Sequence, residues 1–245
     1  MAELLPPPPG LLDGAALFLD FDGTLVELAE APDAIHVPAS LRPLLERLAE
    51  RLEGRIALVS GRAIADVDRH LGRCGIAVSG SHGLELRFAG GEPQPLAAPA
   101  KLEEAQRALL ELAAADRRLL VEEKPASTAL HYRAAPERAG EVEQFARALA
   151  ERTGLSVQPG KMVVELRPHG ADKGDALRRL MREPVFAGAR PVFMGDDLTD
   201  EHAFRAAAEL GGAGILVGPS RETAAAWRLD GVSDVARWLE DAARG

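Results

Sequence analysis

Five short, uninterrupted apolar runs punctuate the chain: Ala16 to Leu19, Ile56 to Val59, Ile76 to Val78, Val192 to Met194 and Ile215 to Val217. Runs of this length that are apolar at every position suit strands buried on both faces. Between them the apolar positions recur at helical spacing. Leu41, Leu44, Leu45, Leu48 and Leu52 make one stripe, with Ser40 placed to cap its start and Gly54 to end it. Further helices are predicted over about residues 62–71, from Lys173 and from Thr199, and Gly90-Gly91 signals a hairpin. Strands alternating with amphipathic helices predict an α/β fold: a Rossmann-like parallel sheet with helices on both faces.

The stretch 98–168 reads differently, as helix, two strands, helix, two strands, and is predicted to be an inserted α+β domain. Its strands alternate. Leu119 and Val121 face away from Glu122 and Lys124; Leu130 and Tyr132 away from His131 and Arg133; Met162, Val164 and Leu166 away from Lys161, Glu165 and Arg167. One sheet face therefore packs on the helices and the other is polar, which solvation alone would explain. The expected division is a loose arm over 1–12, where Pro6 to Pro9 block a helix, a core of 13–97 with 169–245, and the insertion.

Composition narrows the function classes. A net charge of −9 argues against broad nucleic-acid or anionic-membrane binding, which needs clustered Lys and Arg. No apolar run approaches the roughly 20 residues that span a bilayer, and the amino end lacks the pattern of a secretory signal. The single cysteine, Cys74, excludes an internal disulfide and suits a reducing, cytoplasmic compartment, where its expected role is that of a small packed hydrophobe.

Three of the apolar runs end in polar clusters: Asp20-Phe21-Asp22-Gly23-Thr24, Ser60-Gly61-Arg62 and Gly195-Asp196-Asp197. In a parallel α/β sheet the ligand crevice lies beyond the carboxyl ends of the strands, so the clusters converge if their strands are neighbours. Carboxylate oxygens of Asp20 and Asp196, one main-chain carbonyl and waters suit Mg²⁺. Without a cation, carboxylates so close would repel, and one would tend to hold a proton. Each cluster alone has a structural explanation as a turn, a loop or a helix cap. Lys173 is less ordinary, because a lysine at a helix amino terminus opposes the helix dipole and makes more sense facing an anion; Asp172 beside it can supply the cap.

Taken together, LFLDFDGTL, LVSGR, the lysine of DKG and FMGDDLTDE resemble, in order, the four motifs of the haloacid dehalogenase superfamily, from residue 17 to 201. GSHGLEL, EEKPASTALHYR and GKMVVELRPHGADKG resemble the trehalose-6-phosphate phosphatase branch. The resemblance implies a hydrolase core with the insertion as a cap. It implies Asp20 as nucleophile through an aspartyl-phosphate, Asp22 as general acid and base, and Ser60, Gly61 and Lys173 as phosphate-binding residues. Mg²⁺ is implied at Asp20, Asp22 and Asp196, with Asp197 close by and Asp200 either orienting Lys173 or starting the following helix. Sugar contacts are implied for Lys124, His131 and Glu165 on the polar cap face. Arg62, His82 and Glu85 are expected either to meet the sugar or to tie loops together. Alternatives are a phosphatase for sucrose phosphate or a mannosyl phosphate, a mutase, and an inactive regulatory homologue.

Overall fold

The computed structural model describes residues 4–29, 35–95, 101–123, 126–160, 162–168 and 172–244. In chain order the elements are β1 (Ala15–Leu19), α1 (Leu41–Arg51), β2 (Ile56–Val59), α2 (Ile64–Leu71), β3 (Ala77–Gly80), β4 (Glu85–Arg87) and β5 (Gln94–Pro95). Then come α3 (Leu102–Ala114), β6 (Leu120–Glu123), β7 (Thr128–His131), α4 (Ala139–Thr153), β8 (Leu155–Gly160) and β9 (Val163–Pro168). The chain closes with α5 (Lys173–Leu180), β10 (Arg190–Gly195), α6 (Glu201–Glu209), β11 (Ala213–Val217), β12 (Trp227–Leu229) and α7 (Val232–Arg244). Two compact units result, residues 1–94 with 172–245, and residues 95–171.

In the larger unit the sheet order is β12-β11-β10-β1-β2-β3-β4-β5, parallel from β12 to β3, with β4 antiparallel. The all-apolar strands bury both faces because two helical layers cover them. Leu17, Leu19, Ile56, Leu58, Val192 and Met194 pack with α1, α2 and α7; Ala16, Phe18, Ala57, Val59 and Phe193 pack with α5 and α6. Phe18 against Phe186, with ring centroids 5.3 Å apart, and Phe193 edge-on to Phe204 at 5.8 Å fill the second layer with large rings. Cys74, 5% exposed, lies in the first layer as a packed hydrophobe.

Three local expectations are corrected. Ser40 makes no side-chain cap, because its own backbone is already helical (φ −75°, ψ −19°), so its hydroxyl is not aimed at the first-turn amides. Residues 4–12 are not a loose arm. The prolines block a helix, which leaves backbone carbonyls of this segment free to accept from the core: Leu5 O takes the Arg228 amide at 3.0 Å and Pro7 O takes Trp238 Nε1 at 3.2 Å. A 3-10 turn at Pro9–Leu12 then drives Leu12, 1% exposed, into the core. Near the other end, a 3-10 turn at Leu198–Asp200 precedes α6 where a helix from Thr199 is predicted.

The smaller unit holds an antiparallel sheet of order β6-β7-β9-β8 with its own core, in which Leu130, Val164 and Leu166 meet Leu102, Leu109, Val142 and Leu149 of α3 and α4. Register pairs Ala129 with Glu165 and His131 with Val163, so His131 and Glu165 share the face turned away from that core.

Candidate active site

Strand adjacency builds the site. Leu19 of β1 pairs with Met194 of β10 on one side and Leu58 of β2 on the other, so Asp20, Asp196 and Ser60 emerge side by side at the carboxyl edge. Asp20 N–H extends the ladder to Met194 O at 2.9 Å. Beyond it the chain turns sharply: the amides of Leu25 and Val26 both donate to Phe21 O, at 2.9 and 3.1 Å, and Gly23 takes φ +75°. A Cβ on Gly23 would collide with the Asp196 carboxylate, and one on Gly195 with that of Asp200. Both glycines therefore permit the acidic side chains to lie against backbone.

Lys173 organises the charges. Asp172 caps α5 by accepting the Asp175 amide at 2.9 Å, which leaves Lys173 in the first helical position with its side chain turned inward. Its Nζ donates to Asp20 Oδ1 at 2.7 Å and Asp200 Oδ1 at 2.6 Å, with Lys173 4% and Asp200 0% exposed. Asp200 does more than start a helix: its Oδ2 accepts the Asp197 amide at 2.9 Å, holding the acidic loop as well as the lysine. Carboxylate oxygens of Asp20, Asp196 and Asp200 lie within 4.8 Å of one another.

Burial, opposed by Lys173 and reinforced by Asp200, pushes the Asp20 carboxyl up to about 8. Burial and the Asp200 charge push Asp196 up to about 6, against the pull of Lys173. For Lys173, burial acts downward, but the two aspartates outweigh it and hold the ammonium above its ordinary value. Three carboxylates around one ammonium carry a surplus of two negative charges, so protons are retained where a divalent cation would otherwise balance them. The donor set therefore fits a hard dication such as Mg²⁺.

Around this centre is a cavity of about 380 Å³ lined by Asp20, Asp22, Gly61, His82, Lys173 and Asp196, among others. Arg62 grips Asp22 with a two-pronged contact, Nε and Nη2 each 2.7 Å from a carboxylate oxygen. Ser60 Oγ accepts the Arg62 amide at 3.1 Å. His82 lies over Gly61, where an added Cβ would meet the ring at 2.7 Å. Ser81 and His82 are both left-handed, at φ 50° and 56°, and are held there by Arg62 O and Ser60 O, which accept their amides at 2.7 and 3.0 Å. Strain of this kind, of order 1–3 kcal/mol per residue, persists where surrounding contacts enforce it. Glu85 joins loops: Oε1 accepts Ser81 Oγ at 2.8 Å, and Oε2 accepts the Ile64 amide at 2.9 Å, at the start of α2 where Ala63 offers no side-chain cap.

In the smaller unit Glu165 Oε1 accepts Ser127 Oγ at 2.6 Å, and His131 Nε2 is 2.9 Å from Glu122 Oε2. Lys124 and Lys161 lie outside the described residues. Two side chains at the edge of the acidic loop were not singled out from sequence. Glu201 closes the GDDLTDE string but has no role there, and Arg221 belongs to no motif. Both touch the acidic loop network described below.

A parallel sheet carrying a turn-borne aspartate pair after its central strand, a second acidic loop on the neighbouring strand and a buried helix-borne lysine defines a haloacid dehalogenase-like hydrolase fold. Comparison with known proteins gives the family. A profile described as trehalose-phosphatase matches residues 18–233, so the chain belongs to the trehalose-phosphatase family. It is 43% identical over 210 residues to a probable trehalose-phosphate phosphatase of Sinorhizobium fredii, covering 85% of this chain and 79% of that one. It is 37% identical over 242 residues to the trehalose-6-phosphate phosphatase of Escherichia coli, covering 98% and 91%. The solved trehalose-6-phosphate phosphatase of Aspergillus fumigatus superposes with a TM-score of 0.78 at 25% identity, over 99% of each chain.

Proposed function

We propose that the protein hydrolyses trehalose 6-phosphate to trehalose and inorganic phosphate, with Mg²⁺ as cofactor. The observation that carries the chemistry is the buried Asp20–Lys173–Asp200 triad beside Asp196 at the floor of the cavity. In this reading an Asp20 carboxylate oxygen bonds to phosphorus while the bond to the sugar oxygen breaks, and Asp22 gives that oxygen its proton. Asp22 then takes a proton from water, whose oxygen displaces Asp20 from phosphorus. Arg62 holds the Asp22 carboxylate for both transfers. Lys173 has three donors, two of which go to aspartates, leaving one for a phosphoryl oxygen beside the Ser60 hydroxyl and the Gly61 amide.

Asp20, Asp196 and the main-chain carbonyl of Asp22 would hold Mg²⁺, which when bound offsets the phosphoryl charge. The domain of residues 95–171 is assigned the role of cap, with Lys124, His131 and Glu165 reading the sugar. No helix among the described residues is long and apolar enough to cross a membrane, and the expected setting is a reducing cytosol with a small sugar phosphate as partner.

A phosphate-release screen over sugar phosphates tests the substrate. Trehalose 6-phosphate should be turned over fastest, activity should vanish in excess chelator, and added Mg²⁺ should restore it. Faster release from sucrose phosphate or a mannosyl phosphate would replace the substrate, and full activity in chelator would remove the metal.

A second expectation follows from the raised Asp20 carboxyl. Below about 8 the metal-free site holds a proton that the cation must expel, so Mg²⁺ affinity should rise with pH between 6 and 8. Near pH 7 ion binding should release protons. Calorimetry in two buffers of different ionisation heat measures the release; affinity independent of pH would show that the carboxylates are already ionised.

A further inference from the structure

Arg221 lies in the segment between β11 and β12, far in sequence from every motif. Its Nη2 donates to Asp197 O at 2.9 Å and to Asp196 O at 3.4 Å, and its Nη1 pairs with Glu201 Oε1. Glu201, the first residue of α6, is 7% exposed, and its second oxygen accepts the Ala224 amide at 2.8 Å. Burial pushes the Glu201 carboxyl upward, but the Ala224 amide, the Thr223 side chain and Arg221 outweigh it and hold the group below its ordinary value. The segment is itself anchored, with the Gly218 amide donating to Leu229 O and the Ala226 amide to Gly214 O, each at 2.9 Å. A charged fork on a fixed support thus grips two consecutive carbonyls at the point where β10 ends and its ladder partners run out.

We propose that Arg221, held by Glu201, is a positioning residue for the divalent cation: by fixing the Asp196 and Asp197 carbonyls it fixes the backbone from which the Asp196 carboxylate projects. The inference rests on the reading of Asp196 as a metal ligand. The physical reason is that orienting the two peptide planes restricts the torsions on both sides of Asp197, and with them the direction of Asp196. Without the fork the carboxylate would be ordered only when the ion binds, and affinity would fall by the entropy of that ordering. Asp200 grips the same loop from the other side through the Asp197 amide, so the loop is held at both its donor and its acceptor groups.

The test is calorimetric Mg²⁺ binding to protein freed of metal, for the parent, Arg221→Ala, Arg221→Lys and Glu201→Gln, with each metal-free melting midpoint measured alongside. Arg221→Ala should weaken Mg²⁺ binding by about ten-fold or more, within the range seen when partners of metal ligands are removed. Arg221→Lys, which keeps a donor but loses the fork, should recover part of the affinity, and Glu201→Gln should fall between the two. With saturating Mg²⁺ the turnover of Arg221→Ala should return to within about three-fold of the parent, which separates positioning from a role in chemistry. Unchanged Mg²⁺ affinity in Arg221→Ala, with a lowered metal-free midpoint, would overturn the inference and leave Arg221 as a loop anchor. A parent that binds no Mg²⁺ would instead overturn the metal reading, and this inference with it.

Discussion

Asp20→Asn is expected to abolish phosphate release, by at least about 10⁴-fold, while leaving the metal-free fold intact. The activity loss is the scale expected when a covalent nucleophile is replaced by an amide that cannot attack phosphorus. Preservation of the fold follows from electrostatics. Burial pushes the Asp20 carboxyl well above the ordinary carboxylate range, so the metal-free site favours the neutral side chain far more than solvent does. Asparagine matches it in shape, and its carbonyl oxygen can accept the Lys173 ammonium in place of Oδ1. The metal-free unfolding free energy should therefore stay within about 1 kcal/mol of the parent. Phosphate release and urea unfolding in chelator check both halves. A variant that keeps more than about 1% of the rate would remove Asp20 from the covalent role.

Lys173→Met should be the most destabilising single change at the site. Lys173 is buried between two aspartates, and removing one partner of a buried ion pair typically costs about 3–5 kcal/mol because the other charge is left unbalanced. Asp200, at 0% exposure, would bear most of that cost, since Asp20 can protonate. Activity should be lost as well, since the phosphoryl group loses its cation. Two further measurements tie the loss to charge and not to shape. Mg²⁺ should restore part of the stability by replacing the missing positive charge, and Lys173→Met with Asp200→Asn should cost less than the sum of the two single changes. A loss below about 1 kcal/mol in chelator, or strict additivity, would show that the triad does not carry the stability assigned to it.

What could be read along the chain was whatever is written in short-range pattern. The apolar runs of β1, β2, β3, β10 and β11 are local, because a strand buried on both faces must be apolar at every position. The alternation of Leu130 and Tyr132 with His131, and of Val164 and Leu166 with Glu165, is local for the opposite reason: one face is buried and the other is not. The four motif strings, in order, carry the superfamily, and GSHGLEL, EEKPASTALHYR and GKMVVELRPHGADKG carry the trehalose-phosphatase branch, because each is a contiguous string.

Tertiary structure alone decided which charges meet. Lys173 and Asp20 are 153 positions apart and touch only because α5 packs in the layer that covers Phe18 of β1 and Asp172 caps α5 so that the lysine aims inward. Strand order, with β10 beside β1, made Asp200 part of the acidic cluster when its place near a helix start allowed either role. It also bound Arg62 to Asp22 and used both oxygens of Glu85 on loop amide and hydroxyl groups, contacts that spacing in sequence cannot specify. The left-handed Ser81 and His82 are not specified by sequence, since positive φ is uncommon for any residue but glycine, histidine included; the carbonyls of Arg62 and Ser60 impose it. Arg221 is the limiting case, an arginine in an unremarkable loop that reaches the acidic loop through two backbone carbonyls and is itself paired with Glu201. The amino-acid sequence alone determined the elements and the chemical groups this protein has available, because periodicity and composition act over a few residues. Strand order and burial decided the pairing and protonation of those groups, because both depend on what lies within a few ångströms in space and not on what lies nearby in the chain.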